Sequence, residues 1–136
     1  MMKLIAGTKG TGKTKILIDK VNTAAKTTNG CVVCIEKAMN LRFEIVPQVR
    51  LIHADEYNIQ GYEMLYGFVA GVLAGNYDIK DLFIDGVLRI GGETKDLEGL
   101  AVLVEKLANL VKDEVAITMT VSADPAALPE SMKKYL

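Results

Sequence analysis

The sequence predicts an α/β fold, a three-layer α/β/α sandwich around a mainly parallel sheet of about five strands. Three observations predict it. Short apolar runs alternate with longer stretches of helical periodicity along most of the chain. A glycine-rich segment of defined spacing, Gly7 to Thr14, separates the first apolar run from the first helical stretch. No internal repeat, low-complexity segment or linker breaks the pattern, so a single domain over residues 1–136 is expected.

The elements follow in order. Lys3 to Ala6 is the first strand. Lys13 to Lys26 is a helix with Ile16, Leu17, Val21 and Ala24 on one face, and the Asn29-Gly30 pair ends it as a turn. Cys31 to Ile35 is the second strand. Leu41 to Ile45 alternates Leu41, Phe43, Ile45 and is strand-like, a small hairpin partner or an irregular connection. Val49 to Ala54 is the better sheet strand, and Asp55 to Asn58 a loop. Gln60 to Gly75 reads as a helix that is apolar nearly all round. Leu82 to Asp85 is a buried strand, Leu97 to Val111 an amphipathic helix, Val115 to Val121 the last strand, and Ala126 to Lys134 a short terminal helix.

Composition narrows the function classes. Lys and Arg number 16 against 17 Asp and Glu, a balance that disfavours general attraction to nucleic acid. No apolar run approaches the ~18 residues of a membrane span, and the apolar stretch at the N-terminus is too short for a secretory signal. A cytoplasmic address is expected. Cys31 and Cys34 form a C-x-x-C pair inside an apolar strand. Residues three apart on a strand point to opposite faces, so these are expected to be buried structural thiols, with a redox or metal role as the alternative.

Gly7-Thr8-Lys9-Gly10-Thr11-Gly12-Lys13-Thr14 matches G-x-x-x-x-G-K-[ST] in full. The glycines allow backbone angles closed to other residues and leave no side chain in the way. Successive N–H groups can then face phosphate oxygens, and the helix that follows adds its positive end. Lys13 is placed to reach β- and γ-phosphates, and the Thr14 hydroxyl to coordinate Mg²⁺. Lys9 and Thr11 lie on the same loop. A phosphate site of this kind needs a carboxylate at the end of a buried strand, and Leu82-Phe83-Ile84-Asp85 supplies one. Asp85 is therefore the second candidate metal ligand, with a turn-forming aspartate as the alternative. Gly86 follows it, where many proteins with this loop carry a catalytic Glu.

With these motifs the chain resembles the P-loop ATPases of the RecA-like group over most of residues 1–125. The resemblance implies a water-activating Glu at the end of the second strand, some two dozen residues beyond the P-loop Lys, and Glu36 stands there. A surface ion pair with Lys37 beside it is the alternative. It further implies a polar phosphate sensor at the end of the last strand, where Ser122 or Asp124 would serve in place of the usual Gln. The DNA-binding loops and oligomerisation segments of recombinases have no room in this length. Implied cofactors are ATP and Mg²⁺, although no motif reads the nucleotide base. Implied activity is a Mg²⁺-dependent ATPase that acts through a conformational change or a partner. A non-hydrolysing nucleotide switch and a small-molecule phosphotransferase are the alternatives.

Three further features belong to the expectation. Gly67, Gly71 and Gly75 form one small face of the Gln60–Gly75 helix, for tight packing on the sheet or, on the opposite apolar face, for a homo-oligomer or protein partner. His53, the only histidine, is expected in the core or at the sheet edge. Arg89 follows the Asp85 strand and is placed to reach a phosphate or to sit in solvent.

Overall fold

The computed structural model describes all residues, 1–136. Five strands, β1 (Met2–Ala6), β2 (Cys31–Glu36), β3 (Arg50–His53), β4 (Ile79–Asp85) and β5 (Ala116–Val121), form one all-parallel sheet. Five helices connect and flank them: α1 (Lys13–Thr27), α2 (Tyr62–Gly75), α3 (Val87–Gly91), α4 (Leu97–Val111) and α5 (Glu130–Lys133). The strand order is β1-β5-β4-β2-β3. The last strand is thus inserted between the first and the fourth. All strands point the same way, so the residues that follow β1, β2, β4 and β5 gather along one rim of the sheet.

The two faces of the sheet are covered unequally. A cluster of 26 buried residues fills the side carrying α2, α3, α4 and α5, with Leu65 and Val69 of α2 and Leu100, Val104 and Leu107 of α4 facing Val33, Ile35, Leu82 and Ile84. The other face is covered by α1 and the segment after β2. There, Leu17 and Val21 meet Val32, Cys34 and Phe83 in a cluster of eight. Strand alternation sends Val32 and Cys34 to one face and Val33 and Ile35 to the other, so β2 is apolar on both sides, as a central parallel strand requires. The outer edge of β1 is partly covered by the C-terminal residues, with Leu4 N donating to Tyr135 O at 2.8 Å.

Several expectations are corrected. Leu41–Ile45 is the irregular connection and not the strand-like hairpin partner, since it forms a turn in which Ile45 N donates to Leu41 O at 3.2 Å. Leu41 and Ile45 are buried together and Phe43 between them is 93% exposed. Apolar residues four apart on one helical turn mimic an alternating strand when a third lies midway. The glycine face of α2 does not pack on the sheet; Gly67, Gly71 and Gly75 are exposed, and a Cβ on any of them would meet nothing within 4 Å. Leu65 and Val69 make the sheet contact instead. The terminal helix is split by Pro129 into a single turn at Pro125–Ala127 and α5. Helix α3 was not foreseen, because five residues are too few to display a helical period.

α4 supplies the firmest test of this packing. Leu107→Ala, at a fully buried position, is expected to cost about 2–5 kcal/mol in urea denaturation. Val102→Ala, on the exposed side of the same helix, is expected to cost under about 0.5 kcal/mol.

Candidate functional site

The rim at the strand ends carries a cleft of ≈ 550 Å³ between the Gly7–Thr14 loop, the end of β4 and the end of β5. Its shape begins with local backbone. Gly10 and Gly12 have φ of 86° and 83°, the left-handed region that favours glycine. Gly7 does not; it is required for another reason, since a Cβ there would collide with Thr11 Oγ1. That hydroxyl turns inward and donates to Thr8 O at 2.7 Å, so Thr11 braces the loop. Gly12 is the N-cap of α1 and provides no capping side chain, and the first turn of this 15-residue helix holds no acidic residue. The positive end of α1 therefore faces the cleft without a counter-charge from its own turn.

Lys13 is 8% exposed. Its Nζ donates to Thr8 O at 3.0 Å and has no carboxylate within ion-pair distance. A nearly buried ammonium with only a neutral carbonyl partner is costly unless an anion joins it. Lys9, Lys15, Arg89 and Lys95 also line the cleft, so five basic residues face two carboxylates, Asp85 and Glu93, in a chain of net charge −1. The positive potential is concentrated here rather than spread over the surface.

Asp85 is 5% exposed at the end of β4. Thr120 Oγ1 donates to Asp85 Oδ1 at 2.8 Å and itself accepts from Gly86 N at 2.7 Å. Thr14 Oγ1 lies 3.4 Å from the same Oδ1, so the fold brings the two sequence-predicted metal ligands together. A hydroxyl and a carboxylate side by side are hard oxygen donors, the set Mg²⁺ takes when phosphates and waters complete its shell. The chain holds no cluster of three or more His, Cys, Asp or Glu side chains arranged for a metal. Thr8 and Thr11 shape the loop, while Gly10, Gly12, Lys13 and Thr14 line the cleft itself. Of the two sensor candidates, Ser122 lines the cleft, whereas Asp124 caps the turn after β5 by accepting from Ala126 N at 2.9 Å.

Glu36 is 2% exposed and so is not a surface residue; its neighbour Lys37 pairs with Asp55 at 3.0 Å instead. Glu36 is the register partner of Asp85 across β2 and β4. Its Oε1 accepts from Asn40 N at 3.0 Å and its Oε2 from Leu41 N at 3.1 Å, which fastens the turn after β2. It does not line the cleft. His53, on the edge strand β3, holds Nε2 3.4 Å from Glu36 Oε2 and Nδ1 3.1 Å from Glu56 Oε1. Cys34 is buried as expected, but Cys31, expected to be buried with it, is exposed, because it is the first residue of β2, where the pairing with β4 shifts register. Burial pushes the Cys34 thiol pKa well up, and the charges of Asp85 and Glu36 push it the same way.

Sequence reasoning missed Thr120. Its signal was present, a polar residue alternating with Met119 and Val121 in a buried strand, but its partner lies 35 positions away and only strand order joins them. Lys15, Glu93 and Lys95 were missed as well, because exposed charges near a loop carry no local mark.

In structure the chain is similar to a KaiC-like protein from the hyperthermophilic archaeon Pyrococcus horikoshii, with a TM-score of 0.69 at 15% identity over 98% of this chain and 68% of that one. At that identity the likeness is one of fold, the RecA-like three-layer sandwich. No family model and no curated protein sequence matches the chain. No helix is long and apolar enough to cross a membrane.

Two measurements test the site's construction. Thr120→Val removes one hydroxyl that serves both Asp85 and Gly86 N, and is expected to cost about 1–3 kcal/mol in chemical denaturation. Iodoacetamide at pH 8 is expected to label Cys31 and leave Cys34 untouched in the native protein, with mass spectrometry as the readout.

Proposed function

We propose that the cleft binds a nucleoside triphosphate with Mg²⁺, ATP being the first candidate, and that binding or hydrolysis there drives a conformational change or acts on a partner. Lys13 carries the reading: a nearly buried cation without a counter-ion, at the positive end of α1 and beside a loop of free backbone N–H groups. A polyphosphate is the anion whose length and charge suit a cleft with five basic residues along it. In this reading Gly7 to Thr14 wrap the phosphates and Lys13 holds the β- and γ-phosphoryl oxygens. Thr14 and Asp85 would hold Mg²⁺, which when bound neutralises charge on the same oxygens. Thr120 keeps the Asp85 carboxylate oriented. The all-parallel RecA-like fold supports the reading by setting the loop and the carboxylate at one rim.

Glu36 is the proposed water-orienting carboxylate, one strand away from Asp85. A second reading, a nucleotide switch that turns over slowly or never, is favoured by one observation. Both Glu36 oxygens are already engaged by backbone N–H groups, and Gly86 offers no side chain in its stead.

Calorimetric titration with ATP and with GTP in the presence of Mg²⁺, followed by phosphate-release assays, tests both readings. Wild type is expected to bind, and Lys13→Ala to weaken binding by about tenfold or more. Loss of turnover in Glu36→Gln with binding retained supports the hydrolytic role. Turnover that ignores this substitution removes Glu36 from it, and tight binding without turnover selects the switch. Failure of wild type, stripped of copurifying ligand, to bind any nucleotide overturns the proposal.

A further inference from the structure

Arg89 is the one basic residue of the cleft whose position depends on a missing side chain. It sits on α3, directly after the strand that ends in Asp85. Its guanidinium folds back over Gly86: a Cβ built on Gly86 would lie 2.9 Å from Arg89 Nη2 and 3.1 Å from Nε. Gly86 has a φ of 69°, and any side chain at this position would strain the backbone and occupy the space the guanidinium fills. No side chain stands at position 86, and the Arg89 guanidinium lies over it instead.

The guanidinium is uncommitted. It is exposed, forms no ion pair and makes no protein hydrogen bond, although Asp85 and Glu93 line the same cleft. Its backbone is not free. Gly61 N donates to Ile90 O at 2.9 Å, and the Tyr62 ring packs on Gly91, so the start of α2 pins α3 at the two residues that follow Arg89. A fixed main chain with an unpaired planar fork of donors is suited to bidentate recognition of a phosphoryl group. Arg89 also stands on the ridge between this cleft and a neighbouring hollow of ≈ 580 Å³ that reaches Lys37 and Asp55.

We propose that Arg89 distinguishes a triphosphate from a diphosphate in this cleft by donating to the terminal phosphoryl group. The inference rests on the nucleotide reading above. With Lys13 on the β- and γ-phosphates and Thr14 and Asp85 at the metal, the terminal phosphoryl group is the one nearest the end of β4, where Gly86 opens space for the guanidinium. Arg89 is thus a specificity-determining residue supplied by the same chain, and Gly86 is the residue whose missing side chain admits it.

The test is a comparison of affinities. A non-hydrolysable ATP analogue and ADP are titrated with Mg²⁺ into wild type, Arg89→Ala, Arg89→Lys and Gly86→Ala, with folding checked by circular dichroism. Arg89→Ala is expected to weaken the triphosphate analogue by about tenfold and ADP by less than about twofold. Arg89→Lys restores the charge without the fork and is expected to recover part of the loss. Gly86→Ala displaces the guanidinium and is expected to show the same triphosphate-selective loss; because Arg89 is exposed, the Arg89 variants decide the matter even where Gly86→Ala is poorly folded. Equal losses for both ligands, or no loss for either, overturn the role of Arg89 while leaving nucleotide binding intact. Wild type that binds neither ligand overturns the nucleotide reading and this inference together.

Discussion

One hydroxyl holds the candidate site in its geometry. Thr120 Oγ1 donates to the Asp85 carboxylate and accepts from Gly86 N, so it ties the end of β4 to β5 at the point where the chain leaves the sheet. An aspartate 5% exposed among apolar strands cannot be left unsatisfied, because burial of an unpaired carboxylate costs several kcal/mol. The strand order makes the solution available: β5 lies between β1 and β4, and its end sits between the phosphate loop and the aspartate. The constraint reaches further, since the same bond orients Gly86 and with it the start of α3.

Charge is then placed against the average of the chain. The protein as a whole is slightly acidic, yet five basic side chains and the positive end of α1 converge on one cleft. Three of the five, Lys9, Lys13 and Lys15, fall within seven residues of the loop and first helical turn, a density of like charge that repels itself. A polyanion removes that repulsion, and its attraction grows as the cleft excludes water. Two carboxylates, one in the cleft and one behind it, have other duties: Asp85 beside Thr14, and Glu36 fastening the turn after β2.

Glu36 shows how one residue can carry a motif position and a structural task at once. Its place at the end of β2, register-paired with Asp85, follows from the strand; its hydrogen bonds to Asn40 and Leu41 follow from a turn that burial of Leu41 and Ile45 forms beneath it. The sequence pattern of that turn imitates a strand, and the imitation failed because burial selected positions four apart rather than two. The glycine face of α2 failed in the opposite sense. Glycines four apart permit close approach but do not compel it, and Leu65 and Val69 bury more apolar surface against the sheet.

The sequence by itself determined the parts whose causes are local. Alternating apolar runs and helical periods specify α/β layers, and eight contiguous residues from Gly7 to Thr14 specify a loop whose backbone and helix start favour an anion. Asp85 could be found as a carboxylate ending an apolar run, whereas the exposure of Cys31 could not, since it depends on what packs at the start of β2. Only the tertiary structure decided that Thr120 is the aspartate's partner, that Glu36 is buried and engaged, and that Arg89 occupies the space above Gly86. The physical reason is that strand order and helix docking arise from burial summed over the whole sheet. Neighbours in space are set by which faces pack together, and no window of the sequence contains that information.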